Sequence, residues 1–341
     1  MRSFLGFQNI LSCLLFKSQE KRKDIGQNSK KNHFPPTQNF KYHVYHNRKS
    51  CITKDIIKMK NLKRLLMMAL LALVCTIPSM AGNKGKVIKI LAIGNSFSQD
   101  AIENYLHQLA DSAGVKTIIA NMYIGGCSLE RHYNNAKDDK PVYSYRKITI
   151  DGKKTEYRST TLDSALTDEK WDYVSFQQAS PLSGKYDTFS PYLSYLIKYV
   201  KERVPAHTKL LWHQTWAYAE GCKLSGFANY NRDQLTMYHA IVEASKKAKK
   251  DYKLYKIVPV GTAIQNARTS FIGDNMNRDK QHLEVHYGRY TAACTWLEAV
   301  LGINPIGNKF VPKGVDDAHK DIAQKAAHAA CKKPNSISTI K

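Results

Sequence analysis

From residue 87 onward, short apolar runs alternate with amphipathic stretches. Residues 87–93 are almost continuously apolar, the pattern of a strand covered on both faces. Residues 117–122, 173–176, 210–212 and 257–260 read the same way. Between them, Ile102, Tyr105, Leu106 and Leu109 fall at i, i+3, i+4 and i+7, and Leu193, Leu196, Ile197 and Val200 repeat that spacing after Pro191. Ala293, Trp296, Leu297 and Val300 form a third such stripe, and each stripe predicts a helix with one buried face. Strands alternating with helices predict a parallel sheet clothed on both sides, because each parallel crossover is long enough to hold a helix. Residues 145–160, centred on Asp151-Gly152, break the alternation and predict a small inserted β-hairpin.

Charge changes the picture only until it is located. The 341 residues hold 52 Lys plus Arg against 28 Asp plus Glu, a formal net charge of +24, which by itself points towards nucleic acid. Residues 59–81, MKNLKRLLMMALLALVCTIPSMA, have the pattern of a signal peptide: Lys60, Lys63 and Arg64, then an apolar core, then Ser79-Met80-Ala81 as a small-x-small cleavage site. That core is too short to span a bilayer. The expected organisation is a non-native or disordered extension over 1–58, a signal peptide over 59–81, and a single domain over 82–341 whose net charge is only +12. A periplasmic or secreted protein follows, cut near Ala81, without a nucleic-acid partner or an integral membrane segment in the mature chain. Cys127, Cys222, Cys294 and Cys331 form no CxxC pair, which argues against a structural zinc site and leaves disulfides open.

Two stretches carry chemistry. In ILAIGNSFSQD, residues 90–100, Ser96 stands just after the first predicted strand and just before the first helix, at the edge where parallel sheets bind ligands. Its hydroxyl is placed for nucleophilic attack and its own N–H for an oxyanion, although Ser96 or Ser98 would equally serve as a helix cap. In RDKQHLEVHYGRY, residues 278–290, Asp279 and His282 are three apart, a spacing that lets His282 accept the Ser96 proton while Asp279 holds the imidazole. There is no G-x-S-x-G elbow. His282 and His286 would share one face of a helix, but HxExH misplaces the Glu of a zinc protease, and no metal is expected. His213 and Trp216 follow the fourth strand, and Arg131 and His132 follow a Gly-Gly turn after the second; all four are candidates for lining the substrate pocket. Arg268 and Arg289 admit either a substrate contact or a solvated position.

The block GNSFS at 94–98 resembles the GDSL-type nucleophile block of the SGNH hydrolase superfamily, with Asn95 where Asp is more usual, and DKQH at 279–282 resembles its DxxH block. Together with YIGGCSLERH, WDYVSFQQAS, WHQTWAY and PVGTAIQNARTS, these blocks resemble a bacterial branch labelled domain of unknown function 4886, over residues 86–306. The resemblance implies a three-layer α/β/α flavodoxin-like fold with a five-stranded parallel sheet. It also implies a cofactor-free hydrolysis through an acyl-serine, with Ser96, Asp279 and His282 catalytic. Oxyanion donors would be the N–H groups of Ser96 and Gly126 and a side-chain amide from the third block. There Gln177-Gln178 replaces the family's Gly-x-Asn; Gln178 is expected to be the donor and Gln177 a substrate contact. The expected substrate is an acetylated carbohydrate or another small ester. A lipase or thioesterase of the same superfamily, and a non-catalytic carbohydrate-binding protein on this fold, are the alternatives.

Overall fold

A computed structural model describes residues 85–341; the extension and signal sequence assigned to 1–81, with Cys13, Cys51 and Cys75, lie outside the described residues. Strand β1 (Ile88–Gly94) is the centre of the sheet. It pairs in parallel with β2 (Thr117–Tyr123) on one side and β5 (Tyr173–Phe176) on the other, and β6 (Lys209–His213) and β7 (Lys256–Val258) continue the parallel run. These are the five strands that the apolar runs predict. The hairpin, β3 (Tyr143–Ile148) and β4 (Lys154–Thr160), is not a separate appendage but pairs antiparallel along β2, so the sheet is seven-stranded and mixed, in the order β4-β3-β2-β1-β5-β6-β7. Pairing there covers the β2 edge that a five-stranded sheet would leave open. Tyr143, Tyr145 and Ile148 point into the core. Outside it, Lys147 reaches Asp168 at 2.6 Å and Glu169 at 2.7 Å, which fastens the hairpin to the segment before β5.

Strand alternation divides the core. Ile88, Ile90 and Ala92 pack on one face of the sheet with α1 (Ser96–Ile102), α2 (Leu106–Ser112), α7 (Val260–Arg268), α8 (Tyr287–Leu301) and α9 (Asp317–Lys332). Leu91 and Ile93 pack on the other with α3 (Leu129–Lys137), α4 (Leu162–Asp168) and α5 (Tyr192–Lys201). The longest helix among the described residues, α6 (Gln234–Asp251), straddles the β6–β7 end, giving Met237 and Ile241 to the first layer and Ala244 and Ala248 to the second. This is the three-layer α/β/α arrangement that the pattern predicts.

One predicted helix is broken. The stripe from Ile102 to Leu109 belongs to two helices, because α1 stops at Ile102. Asn104 Nδ2 donates to the Gln99 carbonyl at 3.1 Å, ending the helix, while the Glu103 carboxylate turns to Asn121 Nδ2 at 2.6 Å. Leu106 and Leu109 still reach the core from α2, so the apolar spacing survives the break. The four cysteines among the described residues are free, and no helix there is long and apolar enough to cross a membrane.

Candidate active site

Parallel strands bring their carboxyl ends to one edge, and Ser96, Gly126, Gln177 and His213 all follow or end such strands. The capping question at Ser96 is answered by its neighbours. Asn95 is the N-cap of α1: its Oδ1 accepts from the Phe97 amide at 2.9 Å, and the Asn95 amide donates back to Ser98 Oγ at 3.0 Å. The Ser96 hydroxyl is therefore left for His282, whose Nε2 lies 2.9 Å away.

His282 and Asp279 lie in a loop between α7 and α8, where no helix places His282 and His286 on one face. Asp279 Oδ1 accepts from the amides of Gln281 at 3.0 Å and His282 at 2.6 Å, and its Oδ2 meets His282 Nδ1 at 2.7 Å. A carboxylate only accepts, so Nδ1 carries the imidazole proton and Nε2 faces the Ser96 hydroxyl as the acceptor. Burial alone would raise the Asp279 pKa, but the donors from His282 and Gln281 offset it and hold the carboxyl below its ordinary value. Lys280, between them, takes φ +67°, a left-handed turn costing roughly 1 kcal/mol that aims both amides at the carboxylate. Trp216 supports this loop from below: its Nε1 donates to the Gln281 carbonyl at 2.8 Å, and its ring stacks on Phe97 at 4.1 Å.

Ser96 opens into a pocket of about 280 Å³ shared with Asn95, Phe97, Gly126, Ser180, Tyr218 and Gln281, and roofed by the segment 224–226. Gly126 has φ +63° and open space where a Cβ would be, so glycine is there for the turn and not for room. Gly226 is the opposite case, since a Cβ there would overlap Pro181 and lift the roof. Among the described residues, neither the Ser96 nor the Gly126 N–H is committed to a protein acceptor. Inside, Ser180 Oγ and Tyr218 Oη are 2.7 Å apart and Gln281 Nε2 donates to Ser180 Oγ at 3.2 Å, a polar cluster able to meet hydroxyl groups. The neighbouring Cys127 is no rival nucleophile, because burial pushes its thiol up to about 12.

Several expected contacts are corrected. Gln178 does not face the pocket: its Nε2 donates to Thr188 O at 3.3 Å and Thr188 Oγ1 at 3.2 Å, and its Oε1 accepts from the Leu129 and Ala179 amides. Gln177 is equally engaged, donating to Asn95 Oδ1 at 2.8 Å and holding His213 Nδ1 at 2.8 Å. Both amides are buried and satisfied by protein, so neither is open to a ligand. His132, His213 and Trp216 are likewise fully buried, His132 against the Tyr143 hydroxyl at 3.0 Å. Arg131 is exposed on α3 and is no part of the pocket lining, and all four tryptophans sit in the core. Arg268 is buried, with donors to Ala217 O and Asn277 Oδ1. Ser180, Tyr218 and Gln281 escape sequence reasoning because they lie in irregular segments without periodicity; only the glycine at 226 hints that something approaches closely there.

Asn95 explains its own departure from the usual Asp. Its Nδ2 donates to the Cys127 carbonyl at 3.1 Å, fixing the Cys127–Ser128 peptide just beyond Gly126, while Oδ1 accepts from Phe97 and Gln177. An Asp would face that carbonyl with an acceptor. Asn95→Asp is therefore expected to lower stability by about 1–3 kcal/mol. Urea unfolding checks this, and an unchanged midpoint would contradict the assignment.

A larger cavity, about 620 Å³, lies at the opposite edge of the sheet among Lys246, Lys249, Lys250, Lys256 and Lys332; none of the serine, histidine and aspartate relay reaches it. A family model described as "Domain of unknown function (DUF4886)" matches residues 89–330. Among solved structures, a DUF4886 family protein from Bacteroides uniformis is 55% identical with a TM-score of 0.74, covering 75% of this chain and 98% of that one. More distant likenesses include an acetylxylan esterase from Geobacillus stearothermophilus, 13% identical with a TM-score of 0.43, covering 68% of this chain and 98% of its own. Another is TesA, 10% identical with a TM-score of 0.41, covering 62% and 97%. No curated protein matches the chain.

Proposed function

The chain belongs to the DUF4886 family, a domain of unknown function, and for it we propose an activity read from its own side chains: hydrolysis of small acyl esters through an acyl-serine. The observation that carries this reading is the unbroken relay Ser96–His282–Asp279, at 2.9 and 2.7 Å, assembled from segments 186 residues apart in sequence. In the proposed reaction His282 Nε2 takes the Ser96 proton as Oγ attacks the ester carbonyl. The Ser96 and Gly126 N–H groups hold the developing oxyanion. His282 then gives the proton to the leaving alcohol, activates a water to cleave the acyl-serine, and returns the proton to Ser96 as the carboxylic acid departs.

The pocket supports a short acyl group over a long one. A volume near 280 Å³ with Ser180, Tyr218 and Gln281 on its walls suits an acetyl group on a hydroxylated alcohol, and a carbohydrate ester is the substrate class we infer. A fatty-acyl lipase or thioesterase would want a longer apolar trough. Export rests on residues 59–81 of the sequence, and mass spectrometry of the mature protein is expected to find an N-terminus near Gly82.

The deciding experiment measures acetate release by the purified protein from a chromogenic acetate ester and from acetylated polysaccharides, beside a butyrate-to-palmitate series. Turnover falling with chain length is the expected result. Binding of glycans without release from any ester would replace the enzyme by the non-catalytic binding protein.

A further inference from the structure

We propose that Asp100 is a positioning residue whose buried carboxylate, gripped by Arg278 and Arg289, sets the distance between Ser96 and His282; this rests on the esterase reading above. Asp100 is one helical turn beyond Ser96 on α1 and only 1% exposed. A lone carboxylate so placed would be strongly disfavoured. It is held by Arg289 Nε at 2.8 Å, by Arg278 Nη1 at 3.1 and 3.3 Å, and by the Leu283 amide at 3.0 Å. Arg289 lies in the first turn of α8, and Arg278 and Leu283 bracket the loop that carries Asp279 and His282. A single side chain of the nucleophile's own helix thus ties down both ends of the segment bearing the base.

The backbone around His282 shows what the clamp controls. Its carbonyl accepts from the Arg278 amide at 3.0 Å and its amide is held by Asp279. On the next residue, the Leu283 N–H goes to Asp100 and the Leu283 carbonyl to the Arg278 guanidinium. Hence the loop hangs from Asp100 and Arg278, and Ser96 hangs from the same helix as Asp100. Release of this anchor lets the imidazole drift from Ser96, and a displacement near 1 Å costs about a hundredfold in rate. Asp100 touches neither substrate nor reacting atoms, so its effect belongs in kcat and not in KM.

The test compares wild type with Asp100→Asn, Arg289→Gln and their double variant on the acetate ester, with thermal midpoints alongside. Expected is a fall in kcat of about a hundredfold for Asp100→Asn at nearly unchanged KM, in protein still folded at the assay temperature. Non-additive kcat losses in the double variant are expected too, because both residues act through one clamp. Should Asp100→Asn not fold, Arg289→Lys, which keeps the charge but loses the Nε donor to Asp100, carries the same comparison. A folded Asp100→Asn with kcat within threefold of wild type overturns the clamp while the esterase stands. If wild type hydrolyses no ester, the esterase fails instead. Amide hydrogen exchange over 277–286 then decides the clamp: faster exchange in Asp100→Asn supports it, and unchanged exchange overturns it.

Discussion

Ser96→Ala should lower kcat for acetate-ester hydrolysis about ten-thousand- to million-fold while leaving the protein folded. The size follows from the chemistry: without Oγ no acyl-serine forms, and His282 is left facing a methyl group. The two amides proposed for the oxyanion and the pocket remain, which would account for whatever residual turnover exceeds that of water. Stability is expected to change by no more than about 0.5 kcal/mol, because capping of α1 is done by Asn95 and Ser98 and not by Ser96. Steady-state kinetics and urea midpoints on the same preparations separate the two effects. Activity surviving within tenfold of wild type would remove Ser96 from the mechanism. A midpoint falling together with activity would instead show that Ser96 is a structural cap.

Local sequence determines only part of this site. The five buried parallel strands read as apolar runs because both faces of each are covered, and Ser96, Asp279 and His282 read from their positions after a strand and three residues apart. What sequence could not show depends on contacts across the fold. Gln177 and Gln178 follow the same strand, and chemistry alone makes either an oxyanion donor; only Asn95 and Leu129, distant in the chain, and Thr188 in the loop beyond reveal where they are engaged. The alternation of β3 looks the same whether the hairpin stands free or lines the edge of β2. Arg289 could be a solvated residue or a ligand contact in sequence, and its partner Asp100 lies 189 positions away. A histidine at a strand's carboxyl edge suggests a substrate contact, yet His213 points inward, between Trp216 and Trp296.

The inward turn of His213, together with that of His132, predicts a steep loss of stability in mild acid. Both imidazoles are essentially inaccessible, and burial, with Arg131 adding to it at His132, lowers their pKa values from 6.5 to about 3. Nε2 of His213 has no partner among the described residues, and at His132 only the Gly94 backbone opposes the cost of burial without offsetting it, so a protonated ring would bury a poorly compensated charge. Above the unfolded value of about 6.5 both states are neutral and nothing is lost. As pH falls below it, the unfolded chain binds protons that the folded one refuses, and unfolding gains ground until the folded value near 3 is reached. At pH 5 this amounts to about 2 kcal/mol for each ring, a large fraction of the 5–15 kcal/mol typical of a domain. Urea unfolding at pH 7, 6 and 5 is expected to show the free energy dropping by about 4 kcal/mol from these two groups. His213→Asn keeps a donor for Gln177 without a titrating ring, and should recover about half of that drop. Equal stability at pH 7 and pH 5 in wild type, or the same slope in His213→Asn, would mean that these rings are not the groups resisting the proton.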